Sequence, residues 1–296
     1  MILDKVKNSY IFYTDNQVIH TREYYNYCVL LLKKWLNEID ENLNVIFGDY
    51  FYDFGNSNKT IKVDIQCEHT LVKDGGRSVT NKIYGNVKSD EGYYLVRIDK
   101  FSYINSLDMI IEYSLPNIEN IKISGEFDDY LSKVFYVAPM LYKPNFNGFK
   151  TDVITLFDHN GNPRRSNILN KLKEHGVDNK IVTECFSHEC LLNTYDKTKI
   201  MVNVHQTDHH HTFEELRVLP ALLNGVIIVS EDVPLKETIP YNEFIIWCSY
   251  DDIPKKTLEV INNYDYYFDK LFTNSNIEAI LDNINNNNLE AFKTKI

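Results

Sequence analysis

Short β-branched runs alternate with helical patterns from residue 152 to residue 253. The strand candidates there are 152–157, 180–183, 200–204, 226–229 and 244–247. Gly176 and Gly225 each follow a helical pattern at the place where glycine commonly ends a helix. Strands that alternate with helices of this length imply right-handed βαβ crossovers and a parallel sheet. The pattern therefore predicts an α/β domain.

The first half of the chain has a compatible but less regular rhythm. A helix is predicted over 22–40, with Tyr27, Leu30, Leu31 and Trp35 at helical spacing. Strands are predicted at 10–13, 44–47, 61–67, 94–98, 109–113 and 134–137. Two prolines and a glycine between 138 and 148 indicate a linker. We therefore predict a first domain over 1–138, a linker over 139–150 and a second domain over 151–296.

Charge and composition exclude several classes of protein. The net charge of −11 argues against a protein that coats duplex nucleic acid, since such proteins carry a basic stripe. No run approaches the roughly 18 apolar residues of a membrane helix, and residues 1–7 lack the core of a signal peptide. The five cysteines are scattered without a C-x-x-C pair, which favours reduced thiols. These features predict a cytoplasmic protein with no integral membrane segment.

A polar, His-rich loop (residues 205–213) leads into the helical pattern that Gly225 ends. A loop between a strand and a helix start is where open α/β sheets bind ligands, and the free N–H groups there suit an anion. The candidate binding residues are His205, His211, Thr212, Glu214, Glu215 and Arg217. Thr212 as a cap, first-turn acids and an i,i+3 pair of Glu214 with Arg217 would account for part of this pattern without a ligand.

Arg164 and Arg165 open another predicted helix, after the Gly-containing turn at 160–163. Two arginines at a helix start oppose the helix dipole and are explained best by an anion. A guanidinium binds phosphate oxygens with paired, charge-assisted hydrogen bonds. The alternative is a solvated helix end.

Residues 152–253 resemble the donor-binding domain of GT-B glycosyltransferases. The matching segments are 160–165 with Ile168, Leu169, Leu172 and Gly176, then 200–205, and then Arg217 followed by 225–230. The resemblance covers about a third of the chain and implies two Rossmann-like domains that face each other across a cleft. It also implies that the second domain binds a nucleotide-sugar donor.

One departure from the GT-B pattern affects the donor site. Many retaining members carry two glutamates eight positions apart, the second five before the helix-ending glycine. Counted back from Gly225, those places hold Thr212 and Pro220. Glu214 or Glu215 would then have to contact the donor ribose, and Arg217 would stabilise the leaving diphosphate.

Metal and cofactor motifs are missing from the sequence. No Asp-x-Asp occurs, and neither G-x-G-x-x-G nor G-x-x-x-x-G-K-[ST] is found. Adjacent histidines in one loop rarely converge on one ion, so the His-rich loop is predicted to hold no metal. We therefore expect a metal-independent site whose only co-substrate is the nucleotide sugar.

The acceptor side is predicted in the first domain, near 14–16 and 68–77. Glu68 and His69 end a strand before a Gly-rich loop, where a catalytic base would be displayed. The predicted function is transfer of a sugar to a glycan, lipid or protein acceptor. The alternatives are a catalytically degenerate nucleotide- or carbohydrate-binding protein, and another two-domain enzyme such as a sugar epimerase or a DNA-base glucosyltransferase, the last disfavoured by the acidic charge.

Overall fold

The computed structural model describes residues 1–15, 19–39, 42–76, 82–89, 92–98, 106–146, 150–160 and 162–295. Asn16, Arg77, Gly148 and Gly161, which belong to predicted loops, lie outside these ranges. The chain divides into two compact units, one formed by residues 1–139 with 285–296 and the other by residues 140–284. The protein is α/β, which confirms the predicted fold class. It contains both parallel and antiparallel strand pairs.

The first unit is built on a six-stranded sheet in the order β1-β2-β3-β4-β8-β9. Its strands are β1 (Ile2–Val6), β2 (Ser9–Tyr13), β3 (Leu43–Phe47), β4 (Lys59–Gln66), β8 (Met109–Glu112) and β9 (Val134–Tyr136). β1 is antiparallel to β2, and every other neighbouring pair is parallel. From β2 onward the strands follow one another in chain order, so this sheet has no point at which the strand order reverses. A separate antiparallel sheet contains β5 (Leu71–Lys73), β7 (Gly92–Ile98) and β6 (Lys82–Ser89).

Helix α1 (Arg22–Glu38) confirms the predicted helix, and it buries Leu31 and Trp35 of the predicted apolar stripe but not Leu30. Tyr24, Cys28 and Trp35 are buried, whereas Leu30 is 63% exposed. The buried side chains follow the helical repeat that starts at Tyr24, and Leu30 lies outside that stripe. Two further helices follow β8, namely α2 (Leu115–Ser124) and α3 (Asp128–Lys133).

The second unit confirms the predicted parallel sheet. Its strands are β10 (Asp152–Thr155), β11 (Asn179–Ile181), β12 (Thr198–Asn203), β13 (Ile227–Glu231) and β14 (Ile245–Cys248). They are arranged in the order β11-β10-β12-β13-β14, and all neighbouring pairs are parallel. The chain moves from β10 to β11 on one side and then returns to β12 on the other side. The strand order therefore reverses between β10 and β12.

Helices follow most of these strands. They are α4 (Pro163–Glu174), α5 (His188–Tyr195), α6 (Glu215–Leu223), α7 (Ile253–Asn262), α8 (Tyr264–Phe268) and α9 (Ile277–Lys293). α6 is nearly all buried and ends before Gly225, whose φ of +65° is a backbone conformation that glycine adopts without strain. A Cβ there would lie 3.1 Å from the Cα of Phe146. In the described part of the chain, no helix combines the length and apolar character of a membrane-spanning helix.

The division of the chain differs from the predicted domains at both ends of the second domain. Residues 285–296 lie in the first unit, although we predicted a second domain that runs to residue 296. Asn288 explains this placement, because its amide bonds the backbone of Ala138 and the hydroxyl of Tyr27. Residues 140–146 of the predicted linker belong to the second unit, where Asn145 N donates to Leu223 O at 2.8 Å.

The expectation that all cysteines are reduced is wrong for one pair. Cys185 and Cys190 form a disulfide with a Cα–Cα distance of 5.6 Å. Cys28, Cys67 and Cys248 are free. The five-residue spacing is short enough for the loop before α5 to bring the two sulfurs together. Our prediction considered only the C-x-x-C spacing and so missed this pair.

Lys150 is a buried cation immediately before β10, 5% exposed. Its Nζ donates to Tyr195 O at 2.9 Å. Burial lowers the pKa of Lys150 to about 8, although the nearby Asp196 carboxylate acts in the opposite direction. A lysine whose pKa is lowered by folding destabilises the folded state wherever the unfolded chain still holds the proton.

We expect the contribution of Lys150 to the free energy of unfolding, measured as the difference between wild type and Lys150→Met, to rise between pH 8 and pH 10.5 as the folded protein releases the Lys150 proton before the unfolded chain does. Below pH 8 both states hold the proton and the whole penalty remains. Lys150→Met should abolish this rise and stabilise the protein at pH 7 by about 1 kcal/mol or more. Urea unfolding across this pH range tests it, with the exposed Lys173→Met as control. Parallel curves for wild type and Lys150→Met would show that Lys150 does not titrate there.

Candidate functional site

The candidate site lies at the carboxyl edge of the sheet in the second unit, where the strand order reverses. α4 begins after β10, and α6 begins after β12 and the His-rich loop. Both helices therefore start at the same edge, next to the reversal between β10 and β12. In open α/β sheets this crevice is the usual place for a ligand. The predicted binding residues of the second half belong to these two helix starts and to the loop between them.

The start of α4 is capped and tied to the His-rich loop. Asn162 caps the helix, and its side-chain oxygen accepts a hydrogen bond from Arg165 N at 3.0 Å. The amide nitrogen of the same side chain donates to Gln206 O. Pro163 occupies the first turn, where its missing N–H costs nothing. The cap thereby holds both arginines in a defined place.

Arg164 is engaged within the protein. Its guanidinium forms a two-pronged pair with Glu231, one bond of which is 2.8 Å, and its Nε donates to Asp208 at 2.5 Å. The ring of Tyr250 lies under the guanidinium at 4.0 Å. Burial alone would lower the pKa of Arg164, but the bonds to Glu231 and Asp208 raise it. Arg164 therefore ties β13, the His-rich loop and α4 together.

Arg165 is held differently. Its Nη2 donates to Val204 O at 3.4 Å, and the guanidinium lies 5.0 Å from the ring centre of Phe157. Its Nε is buried without a hydrogen-bond partner, and among the described residues no carboxylate lies within ion-pair distance. Burial and then the positive charge of Arg217 lower the pKa of Arg165 to about 10, although the Glu214 and Asp158 carboxylates act in the opposite direction. A half-buried guanidinium with no ion pair and an unpartnered Nε is stabilised when an anion binds it.

Arg217 contributes the second cation from the first turn of α6. Its Nε lies 3.9 Å from the Glu214 carboxylate, and its side chain is 34% exposed. The pair has the i,i+3 spacing that the sequence offered as the alternative to a ligand contact. Because the pair is long and partly exposed, it leaves most donors of the guanidinium directed elsewhere. Arg217 is close enough to act on the pKa of Arg165.

The His-rich loop is ordered around two buried imidazoles. His205 is 5% exposed and His211 is 9% exposed, and their ring centres are 5.1 Å apart. His205 N donates to the Glu231 carboxylate at 3.1 Å, and His211 Nε2 lies 2.9 Å from Asp208 O. Within the described residues, no group of three or more His, Cys, Asp or Glu side chains could hold a metal ion. The loop histidines are thus packing and hydrogen-bonding groups in this structure.

Glu215 and Thr212 lie inside the unit. Glu215 is fully buried, and its carboxylate accepts a hydrogen bond from the Tyr241 hydroxyl at 2.8 Å. Thr212 is 1% exposed. A group enclosed in this way does not face a ligand in solvent. Glu214, whose side chain is 15% exposed, is the acid that remains at the surface of the helix start.

Glu68 and His69 lie where the sequence predicts, after β4 at the carboxyl edge of the first sheet. Arg97 Nη2 pairs with the Glu68 carboxylate at 3.3 Å. The Asn117 side chain donates to Glu68 O and accepts a hydrogen bond from Thr70 N. Both candidates are partly exposed. This edge is polar, and the hydrogen bonds of Asn117 fix the backbone on both sides of His69.

Several residues of these two edges were missed from the sequence. Glu231 ends β13 and binds Arg164 and His205 N. Glu112 ends β8, is fully buried, and accepts bonds from Ser114 N and the Asn117 side chain. Each is a carboxylate that directly follows a run of buried strand residues. That position is the signal by which they could have been found.

Comparison with known proteins gives relatives but no activity. No protein-family model matches the chain. A protein of Acanthamoeba polyphaga mimivirus is 29% identical over 206 residues, which are 64% of this chain and 70% of the viral protein. A second protein of that virus is 25% identical over 267 residues, 82% of this chain but 34% of the viral protein. Both are described only as uncharacterized.

A third mimivirus protein is also similar to this chain. It is 26% identical over 167 residues, which are 54% of this chain and 18% of the viral protein, and it too is described as uncharacterized. The chain therefore spans about a third and about a fifth of the second and third relatives. This similarity relates the chain to viral proteins without indicating a substrate.

Proposed function

We propose that the protein is a glycosyltransferase whose second unit binds the diphosphate of a nucleotide-sugar donor between α4 and α6. The observation that carries the proposal is Arg165, a half-buried guanidinium that has no ion pair among the described residues and a buried, unpartnered Nε, beside a second arginine, Arg217. Glu214 pairs loosely with Arg217 at 3.9 Å, and Glu214 and Asp158 do not offset the burial of Arg165 and the charge of Arg217, so the pKa of Arg165 stays lowered. A bound anion would supply the negative charge that stabilises both guanidinium groups. Arg165 is therefore a better candidate for a phosphate ligand than Arg164.

A diphosphate fits this place better than a single small anion. Two helix starts and two arginines meet at one sheet edge, and each helix start adds the positive end of its dipole. A nucleoside diphosphate carries two adjacent phosphates, which match two separate groups of donors. When the sugar leaves, negative charge grows on the diphosphate, and preorganised guanidinium groups stabilise that charge.

The other residues receive supporting roles in the proposal. Arg164 positions the start of α4 through Glu231, and His205 and His211 shape the loop. Glu214 is the acid available for the ribose hydroxyls. In an inverting transfer, His69 or Glu68 of the first unit would take the proton of the acceptor hydroxyl as its oxygen attacks the anomeric carbon. The arrangement of two Rossmann-like domains across a cleft and the independence from metal belong to the same proposal.

Calorimetric titration with UDP, GDP and TDP, and then with their sugars, tests the function. We expect one nucleotide to bind with micromolar affinity and its sugar to be consumed, with release of the free nucleoside diphosphate. Inorganic phosphate at the same ionic strength is the control for general anion binding. If no nucleotide binds more tightly than phosphate, the proposal fails.

A binding protein that has lost catalysis is the second candidate. Thr212 and Pro220 occupy the places of the two glutamates, and Glu215 is enclosed by the unit. This candidate predicts saturable binding of a nucleotide sugar without release of the nucleoside diphosphate, in the presence of any acceptor from a glycan, lipid and peptide panel. Release of the diphosphate in the same assay would exclude it.

A further inference from the structure

We propose that the Cys185–Cys190 disulfide is a modification site that exchanges with low-molecular-weight thiols, and that its reduction releases the first turn of α5. The site is separate from the arginines of the proposed donor site and does not depend on the proposed function. It rests on the accessibility of one sulfur, on the inertness of the other cysteines, and on the weak attachment of α5.

One end of the disulfide is open to an attacking thiolate. Cys190 is exposed, whereas Cys185 is 9% exposed. Cys190 lies in the first turn of α5, where its N–H donates to the Ser187 cap at 3.3 Å. Exchange begins with attack on a sulfur that the thiolate can reach, so attack falls on Cys190. Once released, a thiolate in this turn is favoured by the positive end of the helix.

The three free cysteines are protected from the same chemistry. Burial raises the pKa of Cys28 and that of Cys67 far above the ordinary value for a thiol. Burial raises the pKa of Cys248 to about 12. Because the thiolate is the reactive form, we expect these three residues, of which Cys28 is buried and Cys67 and Cys248 are half-buried, to react slowly in the folded protein at neutral pH. The disulfide is therefore the cysteine site of the folded chain that small thiols can address.

The exchange balances with two equivalents of a thiol. The first thiolate attacks the sulfur of Cys190, forms a mixed disulfide with it and breaks the bond to Cys185. Cys185 leaves as a thiolate, takes up a proton and lies 3.5 Å from the Thr194 hydroxyl. The second thiolate attacks the outer sulfur of the mixed disulfide and releases Cys190 together with the oxidised small-molecule disulfide. Two electrons pass from the two thiols to the protein disulfide.

The disulfide restrains a helix that is otherwise loosely attached. Tyr195, at the last position of α5, is the buried residue of this helix. The residues of its first turn are exposed, and the Tyr142 hydroxyl donates to His188 O at 3.4 Å. The His188 ring also lies 4.7 Å from the Tyr142 ring, while the covalent link to Cys185 holds the other side of the turn. Reduction should therefore let this turn open.

Opening of this turn would change an adjoining surface groove of about 500 Å³. α5 and its cap contribute Ser187, Glu189, Cys190 and Asn193 to the wall, and the neighbouring strands contribute Asp152 and Lys180. Lys180 and Asp152 pair at 2.7 Å across the strands and stay in place when α5 moves. The redox state of Cys185 and Cys190 would thus set the shape of one wall of the groove.

Alkylation and hydrogen exchange on the full chain test the proposal. The folded protein is treated with reduced glutathione, alkylated, and mapped by peptide mass spectrometry. We expect label on Cys185 and Cys190, with Cys28, Cys67 and Cys248 labelled after denaturation. Amide exchange in residues 188–192 should be roughly ten- to fortyfold faster in the reduced protein. Removal of glutathione and addition of oxidised glutathione should restore the slow exchange.

The double variant Cys185→Ser/Cys190→Ser shows the effect of losing the disulfide in the absence of glutathione. It should show the fast exchange of residues 188–192 without any reductant, and glutathione should not change it further. The proposal is overturned if the disulfide resists reduction until the protein is denatured. It is equally overturned if reduction or the double variant leaves the exchange of these amides unchanged, or if oxidised glutathione fails to link the two cysteines.

Discussion

Arg165→Met is expected to have opposite effects on binding and on stability. Binding of the nucleoside diphosphate should weaken by about 10- to 100-fold, because charge-assisted hydrogen bonds to the phosphates are lost. The free energy of unfolding of the ligand-free protein should rise by about 1 kcal/mol, because a half-buried cation that has no ion pair and an unpartnered Nε is replaced by an apolar side chain. Calorimetric titration and urea unfolding measure the two quantities.

Matched variants show whether this pattern is specific to the site. Lys173→Met removes the same charge from the exposed far end of α4 and should change neither quantity by more than a small amount. Arg217→Met should weaken binding and alter stability little, since its side chain is 34% exposed. If Arg165→Met destabilises the ligand-free protein and leaves binding unchanged, Arg165 is a packing residue and the donor site lies elsewhere.

Glu231→Ala is expected to destabilise the protein by about 3 kcal/mol, the largest loss among the variants considered, because it leaves the Arg164 guanidinium buried without its main partner. Both side chains are nearly buried, with 13% of Arg164 and 10% of Glu231 exposed. Asp208, which is 79% exposed, cannot compensate since solvent screens its charge. Urea unfolding measures the loss.

A double-mutant cycle isolates the pair. Arg164→Met/Glu231→Ala should be clearly more stable than the sum of the two single losses predicts, because the second substitution removes the stranded charge. Asp251→Ala, which breaks the exposed pair with Lys171 at 2.9 Å, is the control and should cost less than about 1 kcal/mol. Additive losses in the cycle would mean that the two residues act independently.

The regular parts of the fold were predictable because their hydrophobic pattern is strong. The strands of the second sheet and the helix that Gly225 ends were all foreseen, since buried parallel strands are continuous β-branched runs. The buried face of α1 was predicted only in part, because Leu31 and Trp35 are buried whereas the apolar Leu30 is exposed. The placement of residues 285–296 was missed because the asparagine tract that contains Asn288 drew attention away from Phe292, which is fully buried against Trp35 and Phe135.

The sequence predicted where the candidate site lies but not which partner each of its residues has. The sequence placed Arg164 and Arg165 side by side and favoured both as phosphate ligands. The structure separates them, since Arg164 pairs with Glu231 and Arg165 has no such partner. Glu214 and Glu215 are separated in the same way, because Glu215 turns inward to Tyr241. Neighbouring residues at a helix start point in different directions, and the surrounding elements decide what each one meets.

The sequence by itself determined the α/β class, the parallel sheet of the second unit and the two polar helix starts, because periodicity, β-branching and end signals are local properties. The tertiary structure alone decided which arginine is left without an ion pair and that Cys185 bonds to Cys190. It also placed the two helix starts beside the point where the strand order reverses. The arginine pairing and the position of the helix starts depend on contacts between segments distant in the chain, and the disulfide depends on the course of a loop. Residue spacing encodes none of these.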